Sequence, residues 1–183
     1  MLKWLWITVV IVIIDQISKQ WAEQTLSKVN ALVIMPNLNF ILAHNPGAAF
    51  SLLSDESWAR WFFTVIALAV SAALIYWIKT LKQHERGSAI GLALILSGAL
   101  GNVIDRILFG YVIDFVRFYY HADSCLPGFA YRSFQQTGEC IWPAFNVADS
   151  AISVGAAILI FLAIKEAYGD WKTKKESLRN NEG

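Results

Sequence analysis

Hydrophobic residues along this chain fall into four long blocks separated by polar stretches. The first runs from about Trp4 to Trp21, although its unbroken apolar run is only Trp4 to Ile14. The second, about Trp58 to Ile78, reads WARWFFTVIALAVSAALIYWI. The third, about Ser88 to Phe109, and the fourth, about Phe145 to Tyr168, are rich in small residues. Each is about the length of the roughly 20-residue helix that crosses a hydrocarbon core. Lys3 followed by an apolar run also fits a secretory leader, but polar DQISKQ comes where a small-residue cleavage site belongs, so the first block is read as a span. Between the blocks lie two longer loops, about 25–57 and 110–144. Within the second, Val112, Asp114, Val116 and Phe118 alternate with Ile113, Phe115 and Arg117, the period of a strand. In the first, Asn37 to Asn45 (NLNFILAHN) is extended in character and ends in the turn signal Asn45-Pro46-Gly47. The pattern predicts an all-α membrane protein of one domain over 1–183, with four transmembrane helices and a small extracytoplasmic β element. The polar tail after about Trp171 is expected to be disordered.

Composition sharpens this picture. The 183 residues are 56% hydrophobic, with a mean hydropathy of +0.47, too apolar for an ordinary soluble domain. A net charge of +1 offers no global attraction to nucleic acid. Trp4, Trp6, Trp21, Trp58, Trp61, Trp77 and Trp171 sit near block ends, where amphipathic rings favour the headgroup level. Basic residues are dense at Lys3, at Lys79, Lys82 and Arg86, and at Lys172, Lys174, Lys175 and Arg179. They are sparse in and beside the two long loops, where Lys28, Arg60, Arg117 and Arg132 are spread over longer stretches. That bias orients both termini to the cytoplasm and the long loops outward.

Polar residues inside the blocks carry the candidate chemistry. Asp15, Ser18 and Lys19 share one helix face, as do Gly98, Gly101, Asn102, Asp105 and Arg106, and also Asn146, Asp149, Ser150 and Ser153. Groups of this kind avoid lipid, so the three faces are expected to converge on an interior. With the orientation above, all of them, and Asp114 just beyond the third span, fall in one layer near the outer surface. Two carboxylates at one depth, Asp114 and Asp149, suggest the shared-proton chemistry of a carboxyl pair. Each residue also has a plainer role: Asp15 and Lys19 as an ion pair, Asp105 and Arg106 as structural supports paired with neighbours, Asn146 as a helix N-cap with Asp149 favoured by the dipole. His44, His84 and His121 are scattered, and no spacing of ligand residues suggests a metal. A small ion or proton transporter is the competing reading, since buried charges also mark ion pathways. A structural membrane subunit is a third.

The strings NPGAAF (Asn45 to Phe50), GALGNVIDR (Gly98 to Arg106), VIDF (Val112 to Phe115) and FNVADS (Phe145 to Ser150), with DQISK (Asp15 to Lys19) ahead of them, together resemble the lipoprotein signal peptidases. These are the type II signal peptidases of bacterial inner membranes, four-helix aspartic proteases. They remove the signal peptide from prolipoproteins whose cysteine carries diacylglycerol, cutting just before that cysteine. The resemblance implies Asp114 and Asp149 as the catalytic pair. It implies Asn45, Gly47, Asn102, Asp105, Arg106 and Asn146 as residues that shape the site, and a supporting role for Asp15 and Lys19. It also implies a multi-pass inner-membrane enzyme with its site near the periplasmic side, in contact with membrane lipid and sensitive to globomycin-type inhibitors. No cofactor is expected, and a monomer is.

One stretch departs from that pattern. Asp114 and Asp149 are separated by a connection longer than the family's, and the extra segment, about 119–141, holds Cys125 and Cys140. In an oxidising periplasm these are expected to pair, worth about 3 kcal/mol in the chain-entropy picture.

Overall fold

The computed structural model describes residues 1–46, 57–121, 125, 131–132 and 139–181. A 3-10 turn, Leu2–Trp4, leads into α1 (Leu5–Leu26), followed by β1 (Leu32–Met35) and β2 (Leu38–Asn45). Then come α2 (Ser57–Thr80), α3 (Arg86–Leu108), β3 (Val112–His121), β4 (Tyr131–Arg132), β5 (Glu139–Ile141) and α4 (Val147–Asn181).

Helix α3 is the centre of the bundle and packs against α1, α2 and α4. Its small residues make this possible. A side chain at Gly98 would run into the carbonyl of Ala148, so α3 and α4 approach backbone to backbone there. Leu74 and Ile78 of α2 close on Leu92 and Leu96 of α3 to form one apolar cluster. A second lies where the helices meet the sheet: Ala22 and Leu26 of α1 bury Phe115 of β3 with Phe40 and Leu42 of β2. Trp21, Phe40 and Phe115 meet edge to face there, with ring centroids 5.7 to 6.5 Å apart.

The sheet has the order β1-β2-β3-β5-β4 and every pairing is antiparallel. The β1–β2 turn places Asn37 at φ 68°, a left-handed conformation that Asn tolerates better than most residues. Between α3 and β3 the chain reverses at Gly110, φ 87°, whose N–H bonds the carbonyl of Arg106 as a helix-ending cap. That reversal delivers Asp114 to the end of α3. The N-terminal half of β3, Val112 to Phe115, is buried throughout, with β2 bonded along one edge and Phe145 meeting the backbone at Phe115 and Val116; only its outer half is partly exposed. The expected alternation therefore marks a strand but not a half-exposed one.

Among the described residues, three helices are long and apolar enough to cross a bilayer: Trp61–Thr80, Arg86–Leu108 and Val147–Glu176. The 22-residue α1 carries Asp15, Gln16, Ser18, Lys19 and Gln20 within its apolar pattern. The tail expected to be disordered after Trp171 is instead helical as far as Asn181. Its Lys, Glu, Leu and Arg residues are strong helix formers, and Asp170 and Lys174 fall at the supporting i,i+4 spacing. Cys125 and Cys140 are joined as a disulfide, with Cα atoms 5.4 Å apart.

Candidate active site

The three polar faces meet at the sheet end of the bundle. Asn146 is the hinge of the arrangement. It caps α4, accepting the N–H of Asp149 on its own side-chain oxygen at 2.9 Å, while Asp149 Oδ2 accepts the Asn146 N–H at 3.2 Å. This reciprocal pair satisfies two N–H groups that the first turn of a helix leaves open, so the cap also aims Asp149. The remaining Asn146 amide donates to Asp114 Oδ1 at 2.7 Å, to the carbonyl of Ile113 at 3.2 Å and to Asn102 Oδ1 at 3.2 Å. Asn45, at the end of β2, donates to Asp114 Oδ2 at 3.1 Å. Asn102, on α3, donates to Asp149 Oδ1 at 2.8 Å. Both carboxyls are thus held by the same asparagine, one through its side chain and the other through its backbone.

Burial and the nearby charge of Asp149 act together on Asp114, whose pKa is pushed up to about 7; the hydrogen bonds from Asn45 and Asn146 offset only part of this.

A second layer sits directly beneath. Lys19 is wholly buried and spends its three protons on Asp15 Oδ2 at 2.8 Å, Asp105 Oδ2 at 2.9 Å and Asn102 Oδ1 at 3.0 Å. The last contact settles which way the Asn102 amide faces: oxygen toward the ammonium, nitrogen toward Asp149. Asp15 Oδ1 accepts the N–H of Ala148 in the first turn of α4 at 2.9 Å, and Asp105 Oδ2 accepts the N–H of Ile113 at 3.1 Å. The two supporting carboxylates therefore fasten the backbones just before Asp114 and Asp149. Gly101 leaves room for this, since a Cβ there would lie 2.6 Å from Asp15 Oδ2. Arg106 donates to the carbonyl of Asn102 at 3.3 Å and feels the charges of Asp149, Asp114 and Asp105; its buried Nε has no acceptor among the described residues.

Of the residues singled out in the sequence, Asp15, Lys19, Asn45, Asn102, Asp105, Arg106, Asp114, Asn146 and Asp149 come together here. Gly47 lies outside the described residues. Asp105 bonds Lys19 rather than its neighbour Arg106. Cys125 and Cys140 sit apart, on the far stretch of the sheet, where Cys140 pairs with Tyr120. Gln16 is a participant the pattern did not flag: its amide donates to Asp105 Oδ1 at 2.9 Å and to the carbonyl of Gly101 at 3.2 Å. The only trace in sequence is its place in the polar run DQISKQ, because its partners are more than eighty positions away. Among the described residues no group of His, Cys, Asp and Glu is arranged to hold a metal.

Fold and site together define a helical membrane protein with a buried pair of carboxyls at its sheet end. The family model for signal peptidase II matches residues 7–165. A lipoprotein signal peptidase of Pseudomonas aeruginosa is 45% identical over 160 residues, covering 86% of this chain and 85% of that protein. One from Alteromonas mediterranea is 40% identical over 186 residues, covering all of this chain and 90% of its own. A solved structure described as a bacterial membrane enzyme superposes with a TM-score of 0.68 at 29% identity, over 90% of this chain and 89% of that one. The chain belongs to the lipoprotein signal peptidase family, and it is a peptidase.

Proposed function

We propose that this protein is an aspartic endopeptidase that removes the signal peptide from diacylglyceryl-modified bacterial prolipoproteins, cutting before the lipidated cysteine. The observation that carries this reading is Asn146, which holds the carboxyls of Asp114 and Asp149 at once, while burial and the nearby Asp149 push the Asp114 pKa up to about 7. Two carboxyls that share one proton can activate water without a Ser or Cys nucleophile.

Asp149 is the base. It sits in the first turn of α4, where the helix dipole favours negative charge, and it accepts hydrogen bonds from Asn102 and Asn146. It takes a proton from a water molecule whose oxygen attacks the scissile carbonyl carbon. Protonated Asp114 donates to the carbonyl oxygen as charge develops there. The tetrahedral intermediate collapses as the C–N bond breaks and the amine leaves with a proton from the pair. Asp15, Lys19 and Asp105 position the two backbones, and Arg106 adds positive potential.

Helix α1 forms a fourth span. Its Asp15 and Lys19 neutralise each other in the interior, while Val9, Val10, Ile13, Ile14 and Ile17 face outward as lipid requires. The basic clusters then set both termini in the cytoplasm and the sheet end at the periplasmic side of the inner membrane. Membrane lipid surrounds the bundle, a monomer suffices, and globomycin-type inhibitors compete for the site. A transporter fits less well, because the buried charges gather at one end of the bundle instead of lining a path through it.

The test is a gel-shift cleavage assay in detergent with a diacylglyceryl prolipoprotein, comparing wild type with folded Asp114→Asn and Asp149→Asn. Cleavage by wild type alone, blocked by globomycin and indifferent to chelators, is expected. Near-full activity in either variant removes that residue from the pair. No cleavage by folded wild type shifts weight to ion flux.

A further inference from the structure

Asn45 is the last residue of β2 and donates to Asp114 Oδ2 at 3.1 Å, so the reach of its amide depends on the end of a strand, where pairing frays most easily. The ladder that holds it is short. A register shift between Phe40 and Ala43 interrupts the pairing of β2 with β3, and the terminal run sets Ala43 opposite Asp114, His44 opposite Ile113 and Asn45 opposite Val112. A slip of one residue there would turn Asn45 to the other face of the sheet.

Side chains alternate along a strand, so His44 faces away from Asn45. Its Nε2 donates to Glu23 Oε2 of α1 at 2.9 Å, and its ring lies on that of Tyr111, with centroids 4.2 Å apart. Tyr111 in turn stacks on Phe109 at the end of α3, at 6.1 Å. Three rings and a carboxylate therefore tie β2 to α1 and to the corner from which β3 starts. We propose that His44 is a positioning residue: clasped between Glu23 and Tyr111, it holds the end of β2 in register and keeps Asn45 on Asp114, a part in catalysis that rests on the peptidase reading above.

The partners of His44 explain why this clasp bears on the site. Glu23 lies one turn beyond Lys19 on α1, His44 is next to Asn45, and Tyr111 comes just before the buried stretch of β3 that carries Asp114. Movement of any of the three changes the reach of the Asn45 amide. The His44 side chain is 41% exposed and that of Glu23 35%, so replacing His44 leaves the core intact and removes mainly a directional contact. An Nε2–H donates to Glu23 in the charged ring and in one neutral tautomer, so the clasp does not need a protonated histidine.

Loss of the clasp has a direction. The hydrogen bond from Asn45 lowers the Asp114 pKa against burial and the charge of Asp149, so an Asn45 that strays lets that pKa climb and moves the alkaline limb of the pH–rate profile upward. The charges facing Asp114, which are Asp149 from α4, Lys19 from α1 and Arg106 from α3, stay the same in every variant of the test, as do Glu23 and Tyr111 beside His44.

The experiment compares wild type, His44→Ala, His44→Gln, Asn45→Ala and the His44→Ala/Asn45→Ala double variant. Hydrogen exchange at the amides of residues 43–45 reads fraying without turnover, and kcat, KM and the alkaline limb are measured on a diacylglyceryl prolipoprotein. His44→Ala is expected to speed that exchange and lower kcat by about five- to tenfold with KM little changed, the size expected of one half-exposed ion pair and one cross-strand ring pair. Its limb moves upward, as in Asn45→Ala, and His44→Gln, which keeps a donor for Glu23, recovers part of the loss. In the Asn45→Ala background the His44 change adds nothing, because both act through one contact. Additive losses, a change in KM alone or an unmoved limb overturn the proposal. Unchanged exchange in His44→Ala overturns it too, whatever the activity. Failure of wild type to cut the prolipoprotein sinks the peptidase reading instead, and the exchange result then decides the clasp by itself.

Discussion

Asp114 and Asp149 are both aspartates, yet their surroundings differ. Asp114 lies in a buried stretch of strand, close to a second carboxylate; Asp149 lies in the first turn of a helix and takes hydrogen bonds from Asn102 and the Asn146 N–H. The sign of the consequence follows. In the proposed mechanism Asp114 must carry its proton to act as the acid, and its pKa is raised from 3.8 to about 7, so kcat/KM is expected to fall as pH rises through about 7. The same shift makes the folded state most favoured below pH 3.8, where Asp114 is neutral in both states, with that advantage lost progressively up to about 7. A pH–rate profile of wild type, with unfolding followed over the same window, checks both, and an alkaline limb near 10 is the contrary outcome. Lys19 is the other residue whose neighbours dictate its worth. Lys19→Met leaves Asp15 and Asp105 buried without their cation, so a loss of about 3–5 kcal/mol is expected, read as a lower thermal midpoint in detergent. It also frees the Asn102 amide, so the residual folded enzyme should lose kcat more than KM.

At the level of elements, strand and helix each do one job for the site. The β3 strand presents Asp114 because Gly110 lets the chain double back on α3, and α4 presents Asp149 because Asn146 caps it. Between them α3 must come very close to α4 and to Asp15, which is where Gly101 matters. Gly101→Ala puts a methyl group against the Asp15 carboxylate and is expected to cost about 1–3 kcal/mol and most of the activity. A thermal scan paired with the cleavage assay tests it; a variant as stable and active as wild type shows that the contact has slack. Strand β3 and the extended piece before Asn45 are legible from the alternation and turn chemistry of the chain. Strand β1 is not, because all four of its residues, Leu32 to Met35, are apolar and exposed and so carry no period of two. The helical tail beyond Trp171 hides for a related reason: polarity all round reads as a solvated coil, although the same residues have high helix propensity.

For the whole molecule, the extended segment from Cys140 to Phe145 runs antiparallel along β3 and ends at Asn146, so this described stretch between the two aspartates is itself part of the sheet. Cys125 and Cys140 close the far end of that ladder. Protein made in an oxidising compartment is expected to have an intact mass two hydrogens below its reduced form, and two freely alkylated thiols in native protein is the contrary result. The membrane class, the approximate helices and the polar faces were all readable along the chain, since hydrophobic period and the cost of a charge in lipid act locally. Asp114 and Asp149 were likewise visible as a pair, because each borders an apolar block. Distance along the chain hides the rest. Asp105 choosing Lys19 over Arg106, Gln16 reaching Asp105, and Lys19 orienting the Asn102 amide are all contacts between residues far apart in sequence. Such pairings depend on how tightly α3 packs against its neighbours and on which way each side chain then faces. Only the folded bundle brings one asparagine to both carboxyls and gives them different surroundings, Asp114 in a buried strand and Asp149 in the first turn of a helix, because packing and not order along the chain sets those elements together.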